Sequence, residues 1–178
     1  MLEPASRHCA YCGARLAGRP PVLCGNCQAR TYCNAKPAGG AVIVDGGRYL
    51  AVRRAVAPAA GRWGLPGGFC EGAEHPADAA LREIREETGL QVILDGLIGL
   101  YLDTYLYQGE DAPTLNAYYL ATLQPSPQRL VASDDAAEAA WFELDRPPEL
   151  AFTHLSAVLH DAQALLQPAH RHVDLARA

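Results

Sequence analysis

The chain has 178 residues, 49% of them apolar, and a formal net charge of -5. That is enough to bury a real core and suits one main domain with a small appendage. The acidic balance gives no support to nucleic-acid or membrane-surface binding, and no run approaches the ~20 apolar residues that span a bilayer.

The first distinct unit is Cys9-x2-Cys12, eleven residues, then Cys24-x2-Cys27. Two such knuckles at this separation predict one tetrahedral four-cysteine zinc site, a zinc ribbon over residues 1–36. Four thiolates leave no open coordination position, so the zinc is expected to be structural. Disulfides are the rival reading, but no charged-then-apolar leader begins the chain, and a soluble cytoplasmic protein is the expectation. Gly13 and Gly25 each follow a cysteine and offer the backbone freedom to turn toward the metal. His8 and Cys33 are nearby spare ligands. Arg7, Arg15, Arg19 and Arg30, with only Tyr11 and Tyr32 among them, fall short of a nucleic-acid platform.

Residues 34–40, NAKPAGG, read as a linker carrying Pro and Gly into a main domain over 37–170. AVIVD and RYLAVRR flank Gly46-Gly47, which predicts a hairpin. Arg53 and Arg54 end its second strand, and an Ala/Pro loop leads to Gly61-Arg62-Trp63-Gly64-Leu65-Pro66-Gly67-Gly68. Glycines here let the backbone come close to a ligand.

The next 23 residues carry most of the information. Gly68 is followed by five residues, then Glu74, then seven residues, then Arg82-Glu83-Ile84-Arg85-Glu86-Glu87-Thr88-Gly89-Leu90. Pro76 fits the first position of a helix and Gly89 its left-handed terminator. Ala77, Ala80, Leu81, Ile84 and Thr88 fall on one stripe that should face a sheet. Glu83, Glu86 and Glu87 at i, i+3 and i+4 share a face beside it. Three like charges so close are favourable only with a hard cation or Arg pairing, and Arg82 can neutralise part of them. Cys70 lies inside this stretch as a bystander thiol, with no base-and-orienter arrangement to activate it.

These positions match the Nudix box, G-x5-E-x7-R-E-U-x-E-E-x-G-U with U apolar, at every fixed position. The chain thus resembles the Nudix hydrolases, which cleave a nucleoside diphosphate linked to another group. The approach Gly61–Gly68 is similar to the family's G-x-W-x-L-P-G-G. The resemblance implies an α/β fold, an α/β/α sandwich with a mixed sheet, here preceded by the small zinc ribbon. It implies that the Gly67 carbonyl joins Glu83, Glu86 and Glu87 as ligands of catalytic magnesium or manganese.

After the box, LIGLYLDTYLYQ and LNAYYLATL predict two strands around the loop Gly109–Pro113, and Trp141–Leu144 one more. Pro147-Pro148 breaks the chain. A last helix opening near Thr153 carries apolar Leu155, Val158, Leu159, Ala162, Leu165 and Leu166 at core spacing. Residues 171–178 are expected to fray. No internal repeat is read.

Phosphoanhydride hydrolysis needs neutralised phosphates, a positioned water and a proton acceptor. In the family that acceptor is a box Glu or a downstream loop Glu. Glu138 is the downstream candidate, with Glu110, Asp134 and Asp135 behind it, each equally readable as an exposed acid. Arg53, Arg54 and Arg62 are candidates for phosphate contact or plain surface residues. A zinc ribbon, the box and Leu150-Ala151-Phe152-Thr153-His154 together resemble a subgroup acting on ADP-ribose, FAD or related dinucleotides. The S-Q-P-W-P-F-P block of NADH pyrophosphatases is missing, GLYLDTYLYQ standing in its place. Tyr107 lies where diadenosine polyphosphate hydrolases carry a Tyr, though Tyr101 and Tyr105 share its period. The expected partner is thus a nucleotide-derived small molecule, with nucleoside triphosphates as the alternative substrate and a ligand-sensing nucleic-acid regulator as the alternative class. Relatives with two modules imply a homodimer.

Overall fold

The computed structural model describes residues 7–18, 20–107 and 110–167. Arg19, residues 171–178 and the side chains of Tyr107 and Glu110 lie outside what it describes. No helix among the described residues is long and apolar enough to cross a membrane.

The N-terminal unit is built from two copies of one small turn, a repeat unseen in the sequence reading. Cys9-x2-Cys12-Gly13-Ala14-Arg15 and Cys24-x2-Cys27-Gln28-Ala29-Arg30 fold alike. In the first, Cys9 N–H donates to the Ala14 carbonyl (2.8 Å) and Gly13 N–H to the Cys9 carbonyl (2.9 Å). In the second, Cys24 N–H donates to Ala29 and Gln28 N–H to Cys24, both at 2.9 Å. The left-handed residue of each turn is Gly13 (φ 72°) and Gln28 (φ 60°). Gly25 was therefore misread as a turning residue; the second knuckle turns at Gln28, three positions later. A two-stranded ladder, β1 (Val22–Leu23) and β2 (Arg30–Thr31), completes the unit. Buried Cys9, Leu16 and Cys24 form its own small core.

The expected linker is not a linker. Lys36–Gly40 opens the ten-residue strand β3 (Lys36–Asp45), which pairs in parallel with β8 (Glu110–Leu123) from Lys36↔Thr114 to Val44↔Thr122. Gly39 is there for a close approach: a Cβ on it would lie 1.9 Å from the Pro76 carbonyl oxygen. Helix α1 (Pro76–Thr88) thereby seats directly on the strand backbone.

β3 turns through Gly46 and Gly47, both at positive φ, into β4 (Arg48–Arg54), as the sequence predicts. The sheet order is β5 (Trp63–Gly64), β4, β3, β8, β7 (Val92–Tyr107), with β6 (Gly67–Phe69) on β3 and β9 (Ala136–Glu143) on β4. Among the described strands only β3 and β8 pair in parallel. β7 and β8 are longer than predicted, so Glu110–Pro113 belongs to β8 and not to a loop.

Alternation along the strands divides the core. Ala41, Ile43 and Leu50 pack with Ile84 of α1, whereas Val42, Tyr49 and Ala51 pack with Leu155, Val158, Leu159 and Ala162 of α2 (Leu155–Leu166). The two helices thus cover opposite faces of a mixed sheet, the expected α/β/α arrangement. Two predicted core residues face out: Leu81 is 39% exposed and Leu165 40%. On α1 the buried stripe is Ala79, Ala80, Ile84, Glu87 and Thr88. The helix is rolled so that a glutamate replaces Leu81 on the inner face.

Candidate active site

Between α1, β3, β6, β7, β8 and the segment before α2 lies a cavity of about 330 Å³. Local geometry at the box explains its acidic end. A Cβ on Gly68 would sit 2.3 Å from Glu83 Oε1, so a side chain there would push the Glu83 carboxylate aside. Gly67 has φ 150°, and its N–H donates to Glu87 Oε2 at 3.0 Å. Glu83 and Glu87 both line the cavity. Glu87 is 7% exposed, and burial pushes its carboxyl up to about 8. Burial raises Glu83 as well, although Arg82 opposes the rise.

Arg82 braces this end. Its guanidinium grips Glu74 at both oxygens (3.0 and 3.0 Å), holds Glu83 at 2.8 Å and Glu86 at 3.1 Å, and donates to the Phe69 carbonyl at 3.0 Å. Pairing with Glu74 foremost holds the Arg82 proton still more firmly, and keeps the Glu74 carboxyl below its ordinary range. Glu86 faces outward from the cavity wall, its side chain 41% exposed. Glu83 and Glu87 are the cavity's inner pair, and neither has a cation at salt-bridge distance other than Arg82 on Glu83. A half-buried and a buried carboxyl, both with raised affinity for protons, are oxygen donors of the kind a hard divalent cation takes.

The C-terminus of α1 carries the next strip of wall. Val131 and Ser133 N–H groups cap the Thr88 and Glu87 carbonyls, both at 3.0 Å, and Ser133 Oγ donates to the Glu86 carbonyl. This ties the segment before β9 to the helix and brings Asp135 into the cavity lining. Asp134 takes φ 54° and does not line it. Glu138 sits opposite Arg53 in the β4–β9 ladder and pairs with it at 2.8 Å, both about half exposed and outside the lining. Arg62 pairs with Glu149 at 3.1 Å on the surface. Of the three candidate arginines the structure brings only Arg54 to the cavity. There it donates to the Pro58 carbonyl (2.7 Å) and the Tyr105 hydroxyl (3.0 Å), with its guanidinium carbon 5.3 Å from the Phe152 ring centre.

One group escaped the sequence reading. Trp63 N–H donates to the Glu149 carbonyl (3.0 Å) and Ala151 N–H to the Trp63 carbonyl (2.7 Å), which lays residues 149–154 along β5. His154 consequently reaches the cavity, where its Nδ1 meets Asp103 Oδ2 at 2.5 Å and its Nε2 lies 3.2 Å from the Tyr118 hydroxyl. A lone acid inside the apolar alternation Tyr101-Leu102-Asp103-Thr104-Tyr105 was the signal available for it. Tyr105 lines the cavity, whereas Tyr101 donates to Asp161 of α2 at 2.7 Å and braces that helix.

In the ribbon, the ligand atoms of Cys9, Cys12, Cys24 and Cys27 all lie within 4.8 Å of one another. Among the described residues no other group of three or more such ligands is so gathered, and neither His8 nor Cys33 joins it. The Tyr11 N–H reaches Cys9 Sγ at 3.4 Å and, with the Cys12 N–H, lowers that thiol to about 6. The Ala14 N–H lowers Cys12 in the same way. Cys27 moves the other way: against the Ala29 N–H, its neighbouring cysteines and burial raise it. Backbone donors thus favour the thiolate at Cys9 and Cys12, as suits a thiolate-held metal.

A family profile described as NUDIX domain matches residues 35–162. An ADP-ribose pyrophosphatase of Methanocaldococcus jannaschii is 34% identical over 125 residues, 70% of this chain and 72% of that protein. A MutT NUDIX hydrolase structure from Burkholderia pseudomallei shares 33% identity at TM-score 0.61, over 72% of this chain and 98% of that one. A NUDIX hydrolase from Nitrosomonas europaea, 23% identical, superposes over 90% of both chains at TM-score 0.68 and supports the fold.

Proposed function

The chain belongs to the NUDIX family of hydrolases, and from that premise we propose that it cleaves the diphosphate of ADP-ribose, FAD or a related dinucleotide. The observation that carries this reading is that buried Glu87, half-buried Glu83 and Arg54 all line one cavity. Carboxylates for cations and a guanidinium in the same cavity suit a bridging diphosphate. The archaeal relative named an ADP-ribose pyrophosphatase supports the substrate class.

Glu83, Glu87 and the Gly67 carbonyl would hold magnesium or manganese, with Glu86 available from the outer side once it leaves Arg82. Such a cation, when bound, supplies neutralisation of the phosphate oxygens and a water of lowered pKa. The chain's own residues do the rest. Gly67 N–H and Arg82 fix the carboxylates, Arg54 holds a phosphate oxygen, and a carboxylate accepts the water's proton. For that acceptor we carry Asp135, in the wall, and Glu138, which must first part from Arg53. The four ribbon cysteines would hold one structural zinc.

Triphosphates are the competing substrates. Screening ADP-ribose, FAD, NADH, diadenosine polyphosphates and common triphosphates at equal concentration tests the proposal. The expected result is nucleoside monophosphate released fastest from ADP-ribose or FAD. A triphosphate with kcat/KM more than ~10-fold above every dinucleotide, ~1.4 kcal/mol in transition-state binding, would replace it.

A further inference from the structure

The same cavity also carries a set of polar groups that the hydrolytic chemistry does not use. β8 sends Thr114, Asn116 and Tyr118 from one face, β7 sends Asp103, and the segment before α2 adds His154. These groups form two small hydrogen-bonded arrays. In the first, Asp103 Oδ1 accepts from Thr104 N–H (2.7 Å), Oδ2 holds His154 Nδ1, and His154 Nε2 meets Tyr118. In the second, Asn116 Nδ2 donates to the Tyr101 carbonyl (3.1 Å) and to Thr114 Oγ1 (3.0 Å).

What the arrays leave unused is informative. Each Asp103 oxygen keeps a lone pair, and the Asn116 side-chain carbonyl has no partner among the described residues. The Thr114 hydroxyl proton is likewise unspent, and Tyr118 retains the half of its hydroxyl that His154 does not take. The set thus offers acceptors and donors side by side, one acceptor a carboxylate. A phosphate is acceptor-only and anionic, so it would pair with the hydroxyls but meet Asp103 as a like charge. A sugar hydroxyl is donor and acceptor at once and matches the whole set. Arg54 is the one Lys or Arg among the described lining residues, sufficient for a diphosphate but leaving further phosphates uncompensated.

We propose that Asp103, His154 and Tyr118 are specificity-determining residues that receive the hydroxylated group attached to the diphosphate, setting preference for a sugar-linked diphosphate over a triphosphate. The inference rests on the diphosphate being held at the Glu83–Glu87 end. Asp103 orients the imidazole, and the imidazole aims the Tyr118 hydroxyl. A site built to bond a hydroxyl discriminates strongly against ligands lacking it, because its buried polar groups are then left unpaired.

Calorimetry with the non-hydrolysable α,β-methylene analogues of ADP-ribose and ADP, in magnesium, tests this without turnover. The wild type should bind the ADP-ribose analogue at least ~10-fold more tightly. Asp103→Asn and His154→Gln should shrink that margin below ~2-fold while leaving the ADP analogue within ~2-fold. Tyr118→Phe keeps the ring and its packing, removes only the hydroxyl, and should cut the margin even if His154→Gln folds poorly. An unchanged margin in all three variants, no margin in the wild type, or equal losses for both ligands would overturn the proposal. AMP release from ADP-ribose is measured separately. A margin that vanishes in the variants, without AMP release by the wild type, keeps this inference and removes only the hydrolytic reading.

Discussion

The ribbon gathers its four thiols within 4.8 Å of one another, whereas the box helix holds its carboxylates apart, Glu83 and Glu87 in the cavity lining and Glu86 outside it. In the ribbon, two copies of one backbone turn gather four thiols, and main-chain N–H groups, with the Asn26 amide on Cys12, favour the Cys9 and Cys12 thiolates. In the box, Arg82 draws Glu83 and Glu86 toward itself while Gly67 N–H holds Glu87 inside. One cluster is closed by backbone geometry; in the other a guanidinium holds the carboxylates Glu83 and Glu86. On the proposed function, that difference would separate a structural centre from a catalytic one.

The largest effect that would break this comparison comes from Glu87→Gln. It keeps shape and the Gly67 contact but removes the buried charge, and should lower magnesium-dependent kcat by ~10³-fold, about 4 kcal/mol, with little change in melting temperature. Glu86→Gln should cost less, since Glu86 sits outside the cavity lining. Turnover near normal in both variants would reject the helix as the metal site.

Arg54→Gln should raise KM or lower kcat/KM by ~10- to 100-fold, as expected for loss of a charge-assisted phosphate contact. Arg53→Gln and Arg62→Gln, whose partners are surface carboxylates, should stay within ~3-fold. Equal losses for all three would contradict the placement of the phosphate at Arg54.

For the ribbon, Cys9→Ser or Cys24→Ser should abolish about one zinc per chain and lower the stability of the N-terminal unit. The chemistry at the box should change far less. Mass and metal analysis showing stoichiometric disulfides and no zinc would overturn the closed-site account.

The comparison is sharpened, at smallest amplitude, by pH. Glu87 is pushed from the ordinary 4.5 to about 8 in the fold, so the metal-free native state holds a proton that the unfolded chain releases. Its contribution to stability is full below ~4.5 and fades as pH rises toward about 8. The chelated protein should therefore melt at lower temperature at pH 8 than at pH 5.5, and Glu87→Gln should flatten that slope. Magnesium should reverse it, since the ligand must be deprotonated to bind. A chelated wild type that melts higher at pH 8 would contradict the burial of Glu87.

The box helix, its cap glycine and the Gly46-Gly47 hairpin were legible because each rests on local chemistry: Pro and Gly positions, helical period, turn residues. Apart from Gly25, whose turn falls at Gln28, the misreadings discussed next involve residues whose role is set by a distant partner. Gly39 looked like linker material, and only the Pro76 carbonyl pressed against it explains why no side chain is tolerated. Leu81 looked like core, but the roll of the helix on the sheet leaves it 39% exposed and places Glu87 inside. Arg53, Arg54 and Arg62 are indistinguishable as sequence. Arg54 reaches the cavity while its neighbours meet Glu138 and Glu149, on β9 and just before the bridge to β5. His154 is 51 residues from Asp103 and 36 from Tyr118, distances no periodicity spans.

The central claim, that a cation held at Glu83 and Glu87 drives cleavage of a nucleotide diphosphate, is tested most directly by a magnesium titration of zinc-loaded enzyme with ADP-ribose. AMP should appear in step with magnesium, vanish when magnesium is omitted while the zinc stays bound, and remain near background throughout the titration of Glu87→Gln. AMP release that is independent of magnesium, or that follows the wild-type curve in Glu87→Gln, would contradict the account.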